Sequence, residues 1–253
     1  MSRGNSWAKP MTDLRTERTI FENQSAWIKR PEPARGSMYV PLHQLLRVVL
    51  PTALHPTNST GGMAGLRREA ERLQEFFAAG LPVPEVLCVG EDQIILSDCG
   101  KSLRVHMENL TDQSALPDLI TRALDLLTDI HVAGLAHGRP HLKDYLIEPE
   151  TGALSILDFE EDPTATMSLA DAQARDFWLF LGAVCEFHEA PEAVLRGLIE
   201  QYSQKAPDDT KQALKKLAKA LRPFRRLIGF LRAERLGRDV HGTYWATRVL
   251  ETV

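Results

Sequence analysis

Between Gly4 and Gly36 the chain has no glycine at all. A glycine-rich loop that wraps phosphate with backbone N–H groups is therefore excluded from that stretch. Cysteine is scarce, with Cys88, Cys99 and Cys185 far apart. An odd number without metal-ligand spacing excludes a disulfide framework and a zinc site, and leaves buried, reduced thiols as the expectation. No apolar run approaches the ~18 residues that a spanning helix needs. The N-terminal MSRGNSWAKPMTDLRTER lacks the apolar centre of a secretory signal. These two absences point to a cytoplasmic protein, with a peripheral place on the inner face of the cytoplasmic membrane left open. The net charge of −4 gives no global signal for nucleic acid, and no internal repeat is visible.

What is present is ordinary for a globular chain: 253 residues, 43% hydrophobic and 25% charged. That length suffices for one large domain or two small lobes. Residues 1–18 are polar and read as a loose segment. TIFENQSAWIKR, 19–30, has the β-branched and aromatic content of a strand or hairpin and stops at Pro31. LHQLLRVVL, 42–50, has helical spacing, and HPTNSTGG, 55–62, is loop chemistry. The periodicity of 64–79 predicts an amphipathic helix with Leu66, Leu73, Phe76 and Phe77 on one face and Gly80 as its stop. LPVPEVLCVG and QIILSDCG then read as two strands joined by a turn at VGEDQ. Residues 116–134 predict a helix with Leu119, Ala123, Leu126, Leu127 and Ile130 on one face. HGRPHLKDYLI and ALSILDF predict short strands of a small sheet, and 168–187 a helix with an apolar centre.

Some charged residues fall where phosphate chemistry would need them. Phosphoryl transfer requires a cation on the phosphates, a partner that holds it, carboxylates for a metal ion, and a group that orients the acceptor. Lys29 ends the first strand segment. Glu69, three residues from Leu66 and four from Leu73, borders the apolar helix face and can reach such a lysine; Glu71 points elsewhere. Asp158 emerges from the apolar SIL segment, a place suited to a hard cation such as Mg²⁺, and Asp144 offers a second carboxylate.

The succession of Lys29, REAERL, GLPVPEVL, ILSDCG, HGRPHLKDYLI, LDFE and RDFW resembles the protein-kinase-like superfamily. It is most similar to the bacterial lipopolysaccharide core kinases, which phosphorylate Kdo or heptose sugars, and to RIO-type kinases. The resemblance spans roughly residues 19–185. It implies an α+β fold of two lobes: a small β-rich lobe over 19–100 with one main helix, and a mostly helical lobe over 101–253. It implies ATP and Mg²⁺ as cofactors and a glycolipid or sugar as acceptor. By the same resemblance Lys29 is the phosphate lysine and Glu69 its partner. Asp98 to Gly100 form the hinge beside adenine, His137 orders the loop, Asp144 and Asp158 hold metal, and Asp176 braces the loop.

The departures are as plain as the matches. The position of the catalytic aspartate holds Arg139, which cannot act as a base. Orientation of the acceptor would then fall to Asp144 or His141, with Arg139 free to bind the transferred phosphoryl group. Alternatively Arg139 pairs with Asp158 or Asp144 and silences the site, leaving a pseudokinase that binds a nucleotide or a protein. Phe159 is followed by Glu160 instead of glycine.

Toward the C-terminus, Lys205 to Arg238 carries five lysines and six arginines against Asp208, Asp209 and Glu234, about +8. Leu214, Leu217, Leu221, Phe224, Leu227, Ile228 and Leu231 recur through it at helical spacing, and Pro223 predicts a break into two helices. Such a segment suits an anionic membrane surface, or is a core helix with solvated cations. Sparse aromatics disfavour nucleic acid.

Overall fold

The hairpin expected at 19–30 starts earlier than its β-branched centre suggests. Thr16–Phe21 forms β1 and Gln24–Lys29 forms β2, antiparallel, with Thr16 opposite Lys29. Glu22 and Asn23 between them have φ of 47° and 67°, the two positive values that a two-residue primed turn requires. The structure, a computed structural model, describes residues 15–32, 61–188, 191–230 and 237–252. The helical spacing of 42–50 and most of the polar segment 1–18 lie outside them.

Gly62–Ala78 is α1. Leu66, Leu73 and Phe76 are buried as their spacing predicts, and Glu69 is buried with them. Phe77 shares the angular position of Leu66, Ala70 and Leu73 but is 51% exposed; it stands at the last turn of α1, which ends at Ala78. Val86–Val89 (β3) and Ile94–Ser97 (β4) follow, and the Gly90 N–H donates to the Gln93 carbonyl in the turn between them. The four strands make one antiparallel sheet in the order β1-β2-β4-β3. Lys29 thus stands on an inner strand, opposite Ile94 of β4.

A second antiparallel sheet joins Lys101–Ser102 (β5), Tyr145–Ile147 (β6) and Leu154–Ile156 (β7). Leu103–Glu108 is α2 and Leu116–Val132 is α3, whose apolar stripe from Leu119 to Ile130 is buried throughout. Leu169–Val184 (α4) begins at Ser168, whose hydroxyl accepts from the Asp171 N–H, an N-cap. Glu192–Lys205 is α5, Asp208–Phe230 is α6 and Arg238–Leu250 is α7. Helix α4 is the centre of the helical part, packed on α6 and α7.

Pro223 does not divide α6, contrary to expectation: the helix runs through it. Proline removes one backbone bond and crowds the carbonyl four residues back. Pro223 and Lys219 both face solvent, so water can serve the freed carbonyl, and buried Leu217, Leu221 and Ile228 hold the helix from the other side.

The described residues therefore form a mixed chain of seven α-helices and two small antiparallel sheets, an α+β arrangement. Among them, no helix is long and apolar enough to cross a membrane.

Candidate active site

The end of β2, the middle of α1 and the segment after β7 meet at one ammonium. Lys29 Nζ lies 2.6 Å from Glu69 Oε1, 3.2 Å from Glu160 Oε1 and 3.5 Å from Asp158 Oδ1. Lys29 and Glu69 are 7% and 1% exposed. Glu71, the competitor in sequence, faces solvent. Burial pushes the Glu69 carboxyl upward, against the opposing pull of Lys29. Asp158 is also subject to burial, but Lys29 and further cations outweigh it and hold its carboxyl below the ordinary value.

Asp158 has φ of 76°, one of three non-glycine residues with positive φ among those described. Such a conformation costs of order 1–3 kcal/mol and persists where surrounding contacts enforce it. Here the enforcement is visible. Arg72, one turn beyond Glu69 on α1, donates to the carbonyls of Ala136, His137, Phe159 and Glu161. One guanidinium thereby ties the helix to both loops. Phe159 is fully buried, with ring centroids 4.3 Å from Phe76 and 4.6 Å from His137.

The loop before β6 is fixed from below by α4. The buried carboxylate of Asp176 accepts from the His137 N–H at 2.6 Å and from the Gly138 N–H at 2.9 Å. His137 Nε2 is 2.9 Å from the Leu157 carbonyl. Gly138 has φ of 108°, and a Cβ there would meet the Glu161 carbonyl oxygen at 2.9 Å. Beyond it, Asp144 is 5% exposed and accepts from the His141 N–H at 3.1 Å. Burial and then the charge of Asp158 raise its carboxyl to about 7. The two carboxylates are thus close enough for each to feel the other's charge.

Arg139, two residues after His137, stands largely in solvent. Its side chain is 69% exposed and its ion pair is with Glu161 at 3.9 Å, not with Asp144 or Asp158. His141 Nε2 lies 3.3 Å from Glu186, which also pairs with Arg104. Burial lowers the His141 ring's proton affinity.

Beside this cluster lies a cavity of about 420 Å³ whose wall includes Trp27, Lys29, Glu69, Leu96, Gly100 and Leu146. Its size is that of a small-molecule site, and Lys29 and Glu69 stand on its wall among apolar side chains such as Trp27, Leu96, Val105 and Leu146. Gly100 is on its wall and is held there by geometry: its φ is 105° and a Cβ would come 2.2 Å from the Ile147 carbonyl oxygen. The Asp98 carboxylate is engaged elsewhere, accepting from Ser25 Oγ at 2.8 Å and the Gly100 N–H at 3.1 Å and pairing with Arg18.

Three participants escape a reading of the sequence. Glu160 is visible there only as a non-glycine after Phe159, yet it reaches Lys29. Arg15, just before β1, pairs with Glu32 and with Glu160. Arg72 carries the one available signal, its place three residues after Glu69 on the same helix face.

No family model matches the chain. A Haemophilus influenzae protein described as "Uncharacterized protein" is 23% identical over 184 residues, covering 72% of this chain and 67% of its own length. Among solved structures, vaccinia related kinase 3 is similar at 13% identity with a TM-score of 0.37, over 73% of this chain. The match spans 64% of that kinase's chain.

Proposed function

We propose that the chain is an atypical Mg-ATP-dependent phosphotransferase. The observation that carries this reading is the buried Lys29–Glu69 pair, with Asp158 beside it, on the wall of a cavity of small-molecule size. A lysine ammonium buried against three carboxylates needs a reason. Glu69, in this reading, holds Lys29 ready for phosphate oxygens, and the other carboxylates serve a metal ion. In this reading residues 19–100 form one lobe and 101–253 the other. The cavity, walled by both sheets, takes the adenine near the backbone of 98–100.

Among the described residues, no group of three His, Cys, Asp or Glu side chains could hold a metal ion unaided. Asp144 and Asp158 nonetheless fit Mg²⁺, which keeps several waters and takes one or two carboxylates together with substrate phosphates. Bound there, it would neutralise charge on the transferred group. Asp144 also orients the acceptor hydroxyl, because a carboxyl titrating near neutrality is suited to receive its proton. Arg139 supplies a guanidinium to the transferred phosphoryl group. His141, engaged by Glu186, positions the loop between them. The acceptor to which the sequence resemblance points is a sugar of a lipopolysaccharide core.

Arg139 itself favours a second reading, a silent module that binds nucleotide or protein. A thermal-shift titration with ATP, with and without Mg²⁺, followed by an assay for transfer of labelled phosphate, separates the two. Metal-dependent stabilisation that disappears in Asp158→Ala, together with transfer, supports the phosphotransferase. Stabilisation without transfer supports the binding module, and no shift under any condition removes the nucleotide from both readings.

A further inference from the structure

The outer face of α6 carries two parallel stripes that the candidate site does not use. Lys215, Lys219, Arg222 and Arg226 recur at helical spacing, all exposed. Beside them run Lys216, Ala220, Pro223, Leu227 and Phe230, also exposed. Leu227 is 56% exposed and Phe230 85%, the most exposed large apolar side chain among the described residues. The inner face of the same helix is already satisfied, with Leu214, Leu217, Leu221 and Ile228 buried. Among the described residues nothing covers the outer stripes.

The cations are distinguished by what they lack. Arg225 and Arg222 pair with Glu251, and Lys211 with Asp208. Among the described residues no ion pair engages Lys215, Lys216, Lys219 or Arg226. A chain with net charge −4 thus gathers four uncompensated cations on one helix face, beside an apolar strip too narrow for a protein core.

We propose that this face of α6 docks on an anionic phospholipid surface, the cations over the headgroups and Leu227 and Phe230 in the acyl boundary. The geometry of a helix lying in the interface plane is of this kind: an apolar strip, a basic flank and modest overall hydrophobicity. The chemistry favours lipid over nucleic acid, since Leu227, Pro223 and Ala220 offer hydrocarbon and Phe230 is the single aromatic ring of the stripe, where base stacking uses a succession of them. The proposal does not depend on what the cavity binds.

The test is co-sedimentation of the full chain with phosphatidylcholine vesicles and with vesicles that also contain phosphatidylglycerol. Binding is expected to the mixed vesicles, falling as salt rises. Each surface cation contributes about a fivefold factor, so Lys215→Gln/Lys219→Gln/Arg226→Gln should weaken partitioning on the order of a hundredfold. Leu227→Ser/Phe230→Ser should weaken it at every salt concentration. All five positions are exposed, so unchanged helical circular dichroism and Tm keep the comparison clean. Equal binding to both vesicle types, no binding, or undiminished binding by the triple variant overturns the proposal. So does binding of a single-stranded RNA without binding of vesicles, or self-association abolished by Phe230→Ser without binding of vesicles.

Discussion

Lys29 and Glu69 meet at 2.6 Å across forty residues of sequence, both almost wholly out of water. Neither charge would be stable there alone. Removing one partner of a buried pair typically costs about 3–5 kcal/mol, whereas replacing both with apolar groups can be close to neutral. Lys29→Met should therefore destabilise the chain by about that amount, and Lys29→Met/Glu69→Leu should recover most of it, as read by urea denaturation. Both variants should lose stabilisation by Mg-ATP. If the double variant kept it, the pair would be architecture and not phosphate chemistry.

Asp144 gives the protein a pH dependence of definite sign. Its carboxyl titrates at about 7 when folded, against about 4 unfolded. Between these values the folded state holds a proton that the unfolded state has released, so stability falls as pH rises across that window. The full difference corresponds to up to about 4 kcal/mol. Asp144→Asn removes the titrating group. Its Tm should exceed that of the parent at pH 8, and the difference should shrink as pH falls and close below about pH 4. A parallel pair of Tm curves would show that Asp144 does not titrate in this window.

Arg139 separates activity from stability. It is mostly exposed with one long ion pair, so Arg139→Ala should change stability by less than about 0.5 kcal/mol. If Arg139 meets the transferred phosphoryl group as proposed, its loss should lower kcat about 10²-fold. Steady-state phosphate transfer together with Tm checks both halves. Unchanged kcat would assign Arg139 to the surface alone.

The loops differ in what their glycines do. At Gly100 a Cβ would strike the Ile147 backbone, whereas at Gly80, φ 77°, it would meet nothing within 4 Å. Gly80→Ala should cost only the left-handed backbone penalty of roughly 1 kcal/mol. Gly100→Ala should cost about 2 kcal/mol or more, because backbone must also move, and should narrow the cavity wall. Thermal denaturation of the two variants side by side gives the contrast.

How much of this could be seen in the sequence depended on the range of the interaction. Leu119, Ala123 and Ile130 announce α3 by period, because one helix face dries as a unit. Lys29, Glu69 and Asp158 were legible through local cues: a strand end, a stripe border, a charge after SIL. Arg72 and Arg15 were not, because their work is to bridge segments far apart in the chain, and such long-range pairing leaves no periodic trace. Phe77 was misplaced because period gives the angle of a residue on the helix and not whether a neighbour covers its last turn. Pro223 misled for a related reason: tertiary packing on one side of α6 overrides a strong local breaker.

The crowd of carboxylates at Lys29 has a consequence for whatever enters the cleft. Glu69, Asp158 and Glu160 surround that ammonium, and Arg15 is the only other cation that reaches them directly among the described residues. Three acids against two bases leave this corner of the cleft with one surplus negative charge. If the proposed phosphotransferase reading holds, a divalent counter-ion carried in with the polyphosphate would offset that surplus.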